Sequence, residues 1–307
     1  MSKIVLCGIQ EQGKEIIKFL SDNGVLVTHI VTISKDVAIK NKSDDTWVSY
    51  EDISKEMGIP IYYCKSYSFK HEDDVEYFKK NDFDILLLGG WQRLIPSEIL
   101  NTINVCAIGQ HGSPEFLPSG RGRSPLNWSI ILGRKRLIWN IFKLEPGVDD
   151  GDIIDYQMFQ INDTDTCKTL YYKVSVSVKH MLLRSIPKLL DGTIELTKQI
   201  GEPTYFEKRT PKDGCINWAD PISDTNNLIR GITSPYPGAF TSYDDKSIMI
   251  WEAQIWDEFL DFYKNNKYGE IVEIFDKEFV VKCYGGLLLV TKHDDKNIYK
   301  GKCYNIK

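Results

Sequence analysis

The feature that most narrows the fold is an alternation of short apolar runs with stretches of helical spacing through the first half of the chain. Lys3–Ile9 is apolar and carries Gly8 near its end, and Gln12–Leu20 places apolar residues at helical intervals. Val25–Ile33 is rich in β-branched residues, Tyr50–Met57 reads as helix, and Ile59–Cys64 reads as extended chain. Val75–Lys80 is helical in pattern, Phe83–Leu88 and Val105–Ile108 are short apolar strands, and Pro125–Leu132 is helical again. Such alternation is the mark of βαβ units, whose strands pair in parallel beneath helices on both faces. It predicts a Rossmann-like α/β domain. Ligands of such sheets gather beyond the carboxyl ends of the strands. That directs attention to Gly8, Gly89-Gly90 and His111.

A long helical stretch over Thr164–Leu190 closes this part. The polar segments Gly201-Glu202-Pro203-Thr204 and Lys208–Gly214 predict a linker. Beyond them come one helix, Asp224–Ile232, and four extended runs between Gly and Asp turns: Ile248–Trp256, Glu270–Ile274, Phe279–Cys283 and Leu287–Thr291. This pattern predicts a small β-rich, OB-like module. The expected division is residues 1–200 and 201–307. A chain of 307 residues, 42% hydrophobic, can bury a core in each part.

The net charge of −5 provides no general basic field for nucleic acid. Residues 201–307 carry 14 Lys and Arg against 17 Asp and Glu, a balance of −3. No apolar run approaches the ~18 residues of a membrane helix, and the N-terminus lacks the pattern of a signal peptide. The seven cysteines are odd in number, scattered and without CxxC spacing, as expected of reduced thiols in a cytoplasmic protein. No metal is expected. Oligomeric state is not legible.

Three segments hold candidate chemistry. Gly8-Ile-Gln-Glu-Gln-Gly13-Lys14-Glu15 has the glycine spacing and lysine of a phosphate loop. That motif needs Ser or Thr after the lysine to reach a magnesium ion, and Glu15 is an anion instead. The segment therefore reads as a tight turn from strand into helix. The second segment runs from Gly109-Gln110-His111-Gly112-Ser113 through Arg121-Gly122-Arg123-Ser124-Pro125-Leu126-Asn127-Trp128. A histidine at the end of a buried strand fits a satisfied structural residue as readily as a catalytic one. The third is Glu145-Pro-Gly-Val-Asp149-Asp150-Gly151-Asp152, which by itself fits a solvated acidic turn.

In combination and in order, these segments resemble the formyltetrahydrofolate-dependent formyltransferases. That family carries Asn-x-His, then Ser-Leu-Leu-Pro-x-Tyr-Arg-Gly, then Asp-x-Gly. This chain has His111-Gly-Ser113, Leu117-Pro118, Arg121-Gly122 and Asp149-x-Gly151. Gly122–Trp128, Lys208–Trp218 and Ser234–Thr241 are similar to the aminoarabinose formyltransferases of surface-sugar pathways, and Gly90–Pro96 matches the family's loop after the fourth strand. The resemblance implies formyltetrahydrofolate as co-substrate and an amine as acceptor. The formyl oxygen gains negative charge as the amine attacks, so a donor must be aimed at it. By resemblance His111 is that donor, and Asp149 orients it and relays a proton. Trp91, Gln92, Arg93, Leu94, Ile95, Leu144, Glu145, Val148 and Asp149 are expected at the folate. Gln10, Gly112, Ser113, Arg121, Gly122 and Arg123 are expected at the acceptor.

One departure stands out. The family's Asn falls at Gly109, which has no side-chain donor, and the loop from Ser113 to Pro118 is longer than the family's. Substitutes remain open: Gln110, although strand alternation aims it at the other face; a water in the space a glycine leaves; or a group from Gly112–Phe116, such as Ser113 or a backbone N–H. A chain of altered or lost activity, a binding relative, is the remaining account. The acidic balance of residues 201–307 and the compact Arg121-Gly-Arg123 segment, whose guanidinium forks suit a diphosphate, favour a nucleotide-linked amino sugar over initiator tRNA as acceptor.

Overall fold

The computed structural model describes residues 2–305. Its first sheet runs in the order β3-β2-β1-β4-β5-β7-β8. The strands are β1 (Ile4–Gly8), β2 (His29–Thr32), β3 (Ile61–Tyr63), β4 (Ile85–Gly89), β5 (Cys106–Ser113), β7 (Arg136–Lys143) and β8 (Ile153–Gln160). The first five pair in parallel; β7 and β8 add an antiparallel flank. The parallel strands read as unbroken apolar runs because both faces are covered. Ile4 and Leu6 of β1 point into one core with α1 (Glu11–Asp22), α3 (Glu51–Met57), α6 (Pro125–Ile131) and α7 (Cys167–Leu190). Val5 and Cys7 point into the other, against α2 (Lys35–Lys40), α4 (Glu72–Asn81) and α5 (Ser97–Leu100). Each fully buried Ile or Leu in these layers contributes about 1.5–3 kcal/mol.

The turn from β1 into α1 is a packing junction. A Cβ on Gly8 would stand 2.3 Å from Tyr50 Oη and 2.8 Å from the Gly89 carbonyl oxygen; one on Gly13 would stand 2.0 Å and 3.1 Å from the same atoms. The Tyr50 hydroxyl sits in this notch and donates to the Gln10 carbonyl at 2.7 Å. Glu15 faces α7, where Ser175 Oγ donates to it and Lys179 lies 3.6 Å away. The glycine spacing thus brings helix onto strands, as the tight-turn reading requires.

Two sequence expectations change here. The strand expected over Val105–Ile108 continues as β5 to Ser113, because β7 pairs with its second half. His111 therefore lies within a strand, opposite Asn140, and not beyond its end. The segment read as a linker is also structured. Tyr205–Phe206 forms β9, which pairs in parallel with β6 (Arg121–Gly122), and Pro211–Gly214 makes one 3₁₀ turn capped by Thr210. Hydrogen-bond groups on the 119–123 loop supply the order that polar composition conceals.

The second part is an antiparallel sheet, β10 (Ala239–Tyr243), β11 (Lys246–Asp257), β14 (Gly286–His293), β13 (Glu278–Cys283) and β12 (Ile271–Phe275) in spatial order, packed on α8 (Ile222–Ile232). Trp218 is fully buried in its core and donates to Thr241 Oγ1 at 3.0 Å. The two parts meet through α6 and α8, where Asn127 Nδ2 donates to the Gly231 carbonyl at 2.7 Å. All seven cysteines are free thiols, and burial pushes those of Cys7, Cys106 and Cys283 up, the latter two to about 12.

Candidate active site

Alternation along β5 sends Ile108 and Gln110 to one face and Gly109, His111 and Ser113 to the other. The cross-strand partners on the second face are Phe142, Asn140 and Ile138. His111 is buried, with Nδ1 3.3 Å from Asp149 Oδ2 and Nε2 3.0 Å from the Gly120 carbonyl oxygen. A neutral imidazole has one N–H and donates to only one of these acceptors at a time. The ring is thus clamped in plane, with the carboxylate on one side and the 117–121 loop on the other.

Asp149 reaches His111 from a strained turn. Its φ is +52°, a left-handed conformation that Asp tolerates better than most residues. Gly151 makes the turn possible: a Cβ there would fall 1.7 Å from the Lys143 carbonyl oxygen. Asp150 is exposed, and its carboxylate folds over Gly147. Of the two acidic neighbours, Asp149 is therefore the one paired with His111.

No space lies beside Gly109. A Cβ there would be 2.5 Å from Leu144 Cδ2 and 3.0 Å from the Phe142 ring. Leu144 and Phe142 pack with Leu117 and Ile153 into a small apolar cluster. The water expected in that space is displaced by carbon, since neighbours in a dense interior close over a missing side chain. Gln110 does not swing in either. It donates to the Leu88 carbonyl at 3.1 Å, exchanges hydrogen bonds with Gln12, and accepts from Trp139 Nε1 at 3.1 Å, all on the opposite face. Ser113 Oγ is spent inside the loop, donating to the Ser119 carbonyl at 2.5 Å. Gly109→Asn should therefore overpack the cluster and lower stability by about 1–3 kcal/mol, with activity equal or lower. Leu144→Ala in the same chain should recover part of the loss in denaturant melts; an unchanged midpoint for Gly109→Asn alone would contradict the packing.

The remaining expected residues fall into two groups. Trp91 is buried, stacked on Phe69 at 4.7 Å, and its indole N–H has no hydrogen-bond partner among the described residues. Arg93 lies over the Tyr67 ring, Gln92 is exposed, Leu94 is 65% exposed and Ile95 is buried. Leu144 packs onto the layer that contains Trp91 and Ile95, Glu145 pairs with Lys143 at 3.0 Å, and Val148 is exposed. Gln10 packs against Gly90, beside this loop. Gly112 faces the Trp139 ring on the far side of the strand. On the other group, Arg121 donates through Nε (3.2 Å) and Nη2 (2.6 Å) to Gln199 Oε1, Gly122 approaches the Phe206 backbone closely, and Arg123 is exposed.

Two residues that sequence reasoning missed belong here. Gln199 links Arg121 to the Asp149 turn, and Thr204 Oγ1 accepts from the Gly120 N–H at 2.8 Å, fixing the carbonyl that faces His111. Both lie far along the chain, in a stretch whose composition says only loop.

Residues 2–186 match the family described as formyl transferase, and residues 208–305 match formyl transferase, C-terminal domain. The bifunctional polymyxin resistance protein ArnA of Wigglesworthia glossinidia brevipalpis is 33% identical over 198 residues, 64% of this chain and 30% of that protein. The methionyl-tRNA formyltransferase of Clostridium novyi (strain NT) is 30% identical over 243 residues, 79% of this chain and 76% of the relative. Among solved structures, an N-formyltransferase of Helicobacter canadensis in complex with folinic acid and dTDP-3-aminofucose shares the fold with TM-score 0.68 at 16% identity, covering 96% of this chain and all of that one. HypX of Aquifex aeolicus in complex with tetrahydrofolic acid does so with TM-score 0.67 at 16% identity, covering 96% of this chain and 44% of its own. The chain thus spans under half the length of ArnA and of HypX.

Proposed function

The chain belongs to the formyl transferase family, and from that premise we propose that it moves a formyl group from formyltetrahydrofolate to the amine of a nucleotide-linked amino sugar. The observation that carries the reading is His111, buried and clamped between Asp149 and the Gly120 carbonyl. When bound, formyltetrahydrofolate supplies the activated formyl group. The loop of Trp91–Ile95 and the turn from Leu144 to Asp149 are its walls in this reading. The fit is supported by the buried Trp91 N–H, which has no partner among the described residues, and by the apolar Leu94 and Val148 on the rim.

In this reading the Nε2–H of His111, which faces the Gly120 carbonyl here, would turn to the formyl oxygen as negative charge develops there, while Asp149 stays at Nδ1. Asp149 would hold the ring, take a proton from the attacking amine, directly or through the ring, and return it to the tetrahydrofolate nitrogen as the bond from that nitrogen to the formyl carbon breaks. Gly109 provides no second side-chain donor, so more of this work falls on His111. Arg121 keeps its Nη1 edge free of hydrogen bonds among the described residues, and with the exposed Arg123 it forms a small site for a diphosphate.

The acidic balance of residues 201–307 supports a small acceptor over tRNA, and the dTDP-sugar in the Helicobacter structure agrees with it. The test is consumption of formyltetrahydrofolate against UDP-, GDP- and dTDP-linked amino sugars and against methionyl-tRNA. We expect a formylated sugar nucleotide whose formation weakens only shallowly with salt, because few phosphates are held. Robust, steeply salt-dependent formylation of methionyl-tRNA would overturn the acceptor. Consumption without any formylated product would favour a chain that has lost transfer.

A further inference from the structure

Gln199 occupies a position that its own chemistry makes unambiguous. Its Nε2 donates to the Asp149 carbonyl and to the Gly151 carbonyl, both at 2.8 Å. Its Oε1 accepts both Arg121 bonds. A primary amide has two N–H donors and two lone pairs, and all four are used. The orientation is not arbitrary: flipped, the oxygen would face two carbonyl oxygens and the NH₂ would face a guanidinium. The backbone sets this up. Thr197 and Ile153 exchange N–H···O bonds of 2.7 and 2.9 Å, which lock the segment beside the start of β8. Two residues on, the Gln199 side chain lies across the Asp149–Gly151 turn.

We propose that Gln199 is a positioning residue: it holds the Asp149 backbone in its left-handed conformation, so that the carboxylate meets His111, and ties that turn to Arg121. This rests on the reading of His111 and Asp149 as the reacting pair. The carbonyl it grips belongs to Asp149 itself, the residue with φ +52°. Releasing it frees the peptide that follows and lets the carboxylate drift from a 3.3 Å contact. Displacements of that kind cost about 10- to 100-fold in rate. Through Arg121, a phosphate held at the acceptor site bears on the same turn, so acceptor binding and alignment of the pair are mechanically joined.

Glutamate at this position separates the two links. It keeps and strengthens the bond to Arg121, but sets a carboxylate oxygen against two carbonyl oxygens and so expels the turn. The experiment compares Gln199→Ala, Gln199→Glu and Asp149→Asn in the full chain. It reads kcat and KM with formyltetrahydrofolate and the sugar-nucleotide panel, the melting temperature, and the ¹⁵N signals of the His111 ring, assigned by their loss in His111→Asn. Both Gln199 variants should lower kcat about 10- to 100-fold, with KM for formyltetrahydrofolate raised as well, because the released turn is also a wall of the folate site. Both should move the His111 signals in the direction that Asp149→Asn moves them, with glutamate no better than alanine. A lowered melting temperature with His111 signals unmoved, or an active Gln199→Glu, would reduce Gln199 to a structural tie and overturn the proposal. If Asp149→Asn itself leaves rate and ring signals unchanged, the pairing of Asp149 with His111 is what has failed.

Discussion

Replacing His111 with alanine is expected to lower kcat by about 10²–10⁴-fold while the protein stays folded. The size of the effect follows from the surroundings. In a site with two side-chain donors the survivor shares the developing charge. Here the neighbouring position on the same face of β5 is Gly109, and the volume beside it is filled by Leu144 and Phe142. Gln110 and Ser113 are committed elsewhere. His111 therefore has no side-chain understudy on β5. Asp149→Ala should be damaging too, because the carboxylate is the partner of Nδ1. Asp150→Ala should be mild, since that side chain is exposed and folds over Gly147. Steady-state rates with circular dichroism as the control for folding decide the matter. A strong Asp150 effect beside a weak Asp149 effect would place the reacting carboxylate one residue later.

The second large effect is structural. Gly151→Ala should destabilise the protein by about 3–5 kcal/mol. A Cβ at 151 would lie 1.7 Å from the Lys143 carbonyl oxygen, and that oxygen belongs to backbone at the end of β7. Nothing flexible can yield. Lys143 N–H donates to the Asp152 carbonyl at 2.9 Å and Phe142 pairs with Ile153, so relief requires the hairpin to change register. Gly147→Ala is the informative comparison. Its Cβ would come just as close, 1.8 Å, but to the Asp150 carboxylate oxygen, the free end of an exposed side chain. That carboxylate can rotate away, and the loss should stay under about 1 kcal/mol. Thermal melts of the two variants should differ by roughly 5–15 °C. Equal melting temperatures would mean the β7–β8 turn is far more pliant than its hydrogen bonds imply.

The central strands were legible because burial on both faces writes itself as an apolar run: Ile4–Gly8 and Ile85–Gly89 appear in the sequence nearly as they fold. Strand β7 and strand β8 were not read. In β8 the half-exposed flank mixes Tyr156 and Met158 with Asp155 and Gln157, so neither a run nor a polar alternation marks the inward side. The family was legible from motif order alone. His111 and Asp149 were nameable only through the family resemblance, and their contact depends on a turn whose left-handed residue no pattern announces. Gln199 was illegible because its meaning comes from the pairing of Thr197 with Ile153, a contact between distant stretches. At Gly109 the sequence suggested a void. A missing side chain says nothing about which neighbours close over the position, and here a leucine from the next loop does.

The ribbon of β6 and β9 bears on how such a protein can be cut and recombined. Composition places the seam between its parts near residue 200, in the polar stretch before the second sheet. Yet Thr204 holds Gly120 and Ser119 and accepts from the Arg121 N–H, and Phe206 accepts from the Arg123 N–H and pairs with Gly122. Trp128 Nε1 donates to the carbonyl of Glu207. The structural unit that holds His111 therefore extends past its own sheet by several residues. A crossover at 200 that exchanged the second part for a relative's would graft a foreign clasp onto the loop over His111, whereas one placed after Glu207 would carry the native clasp along.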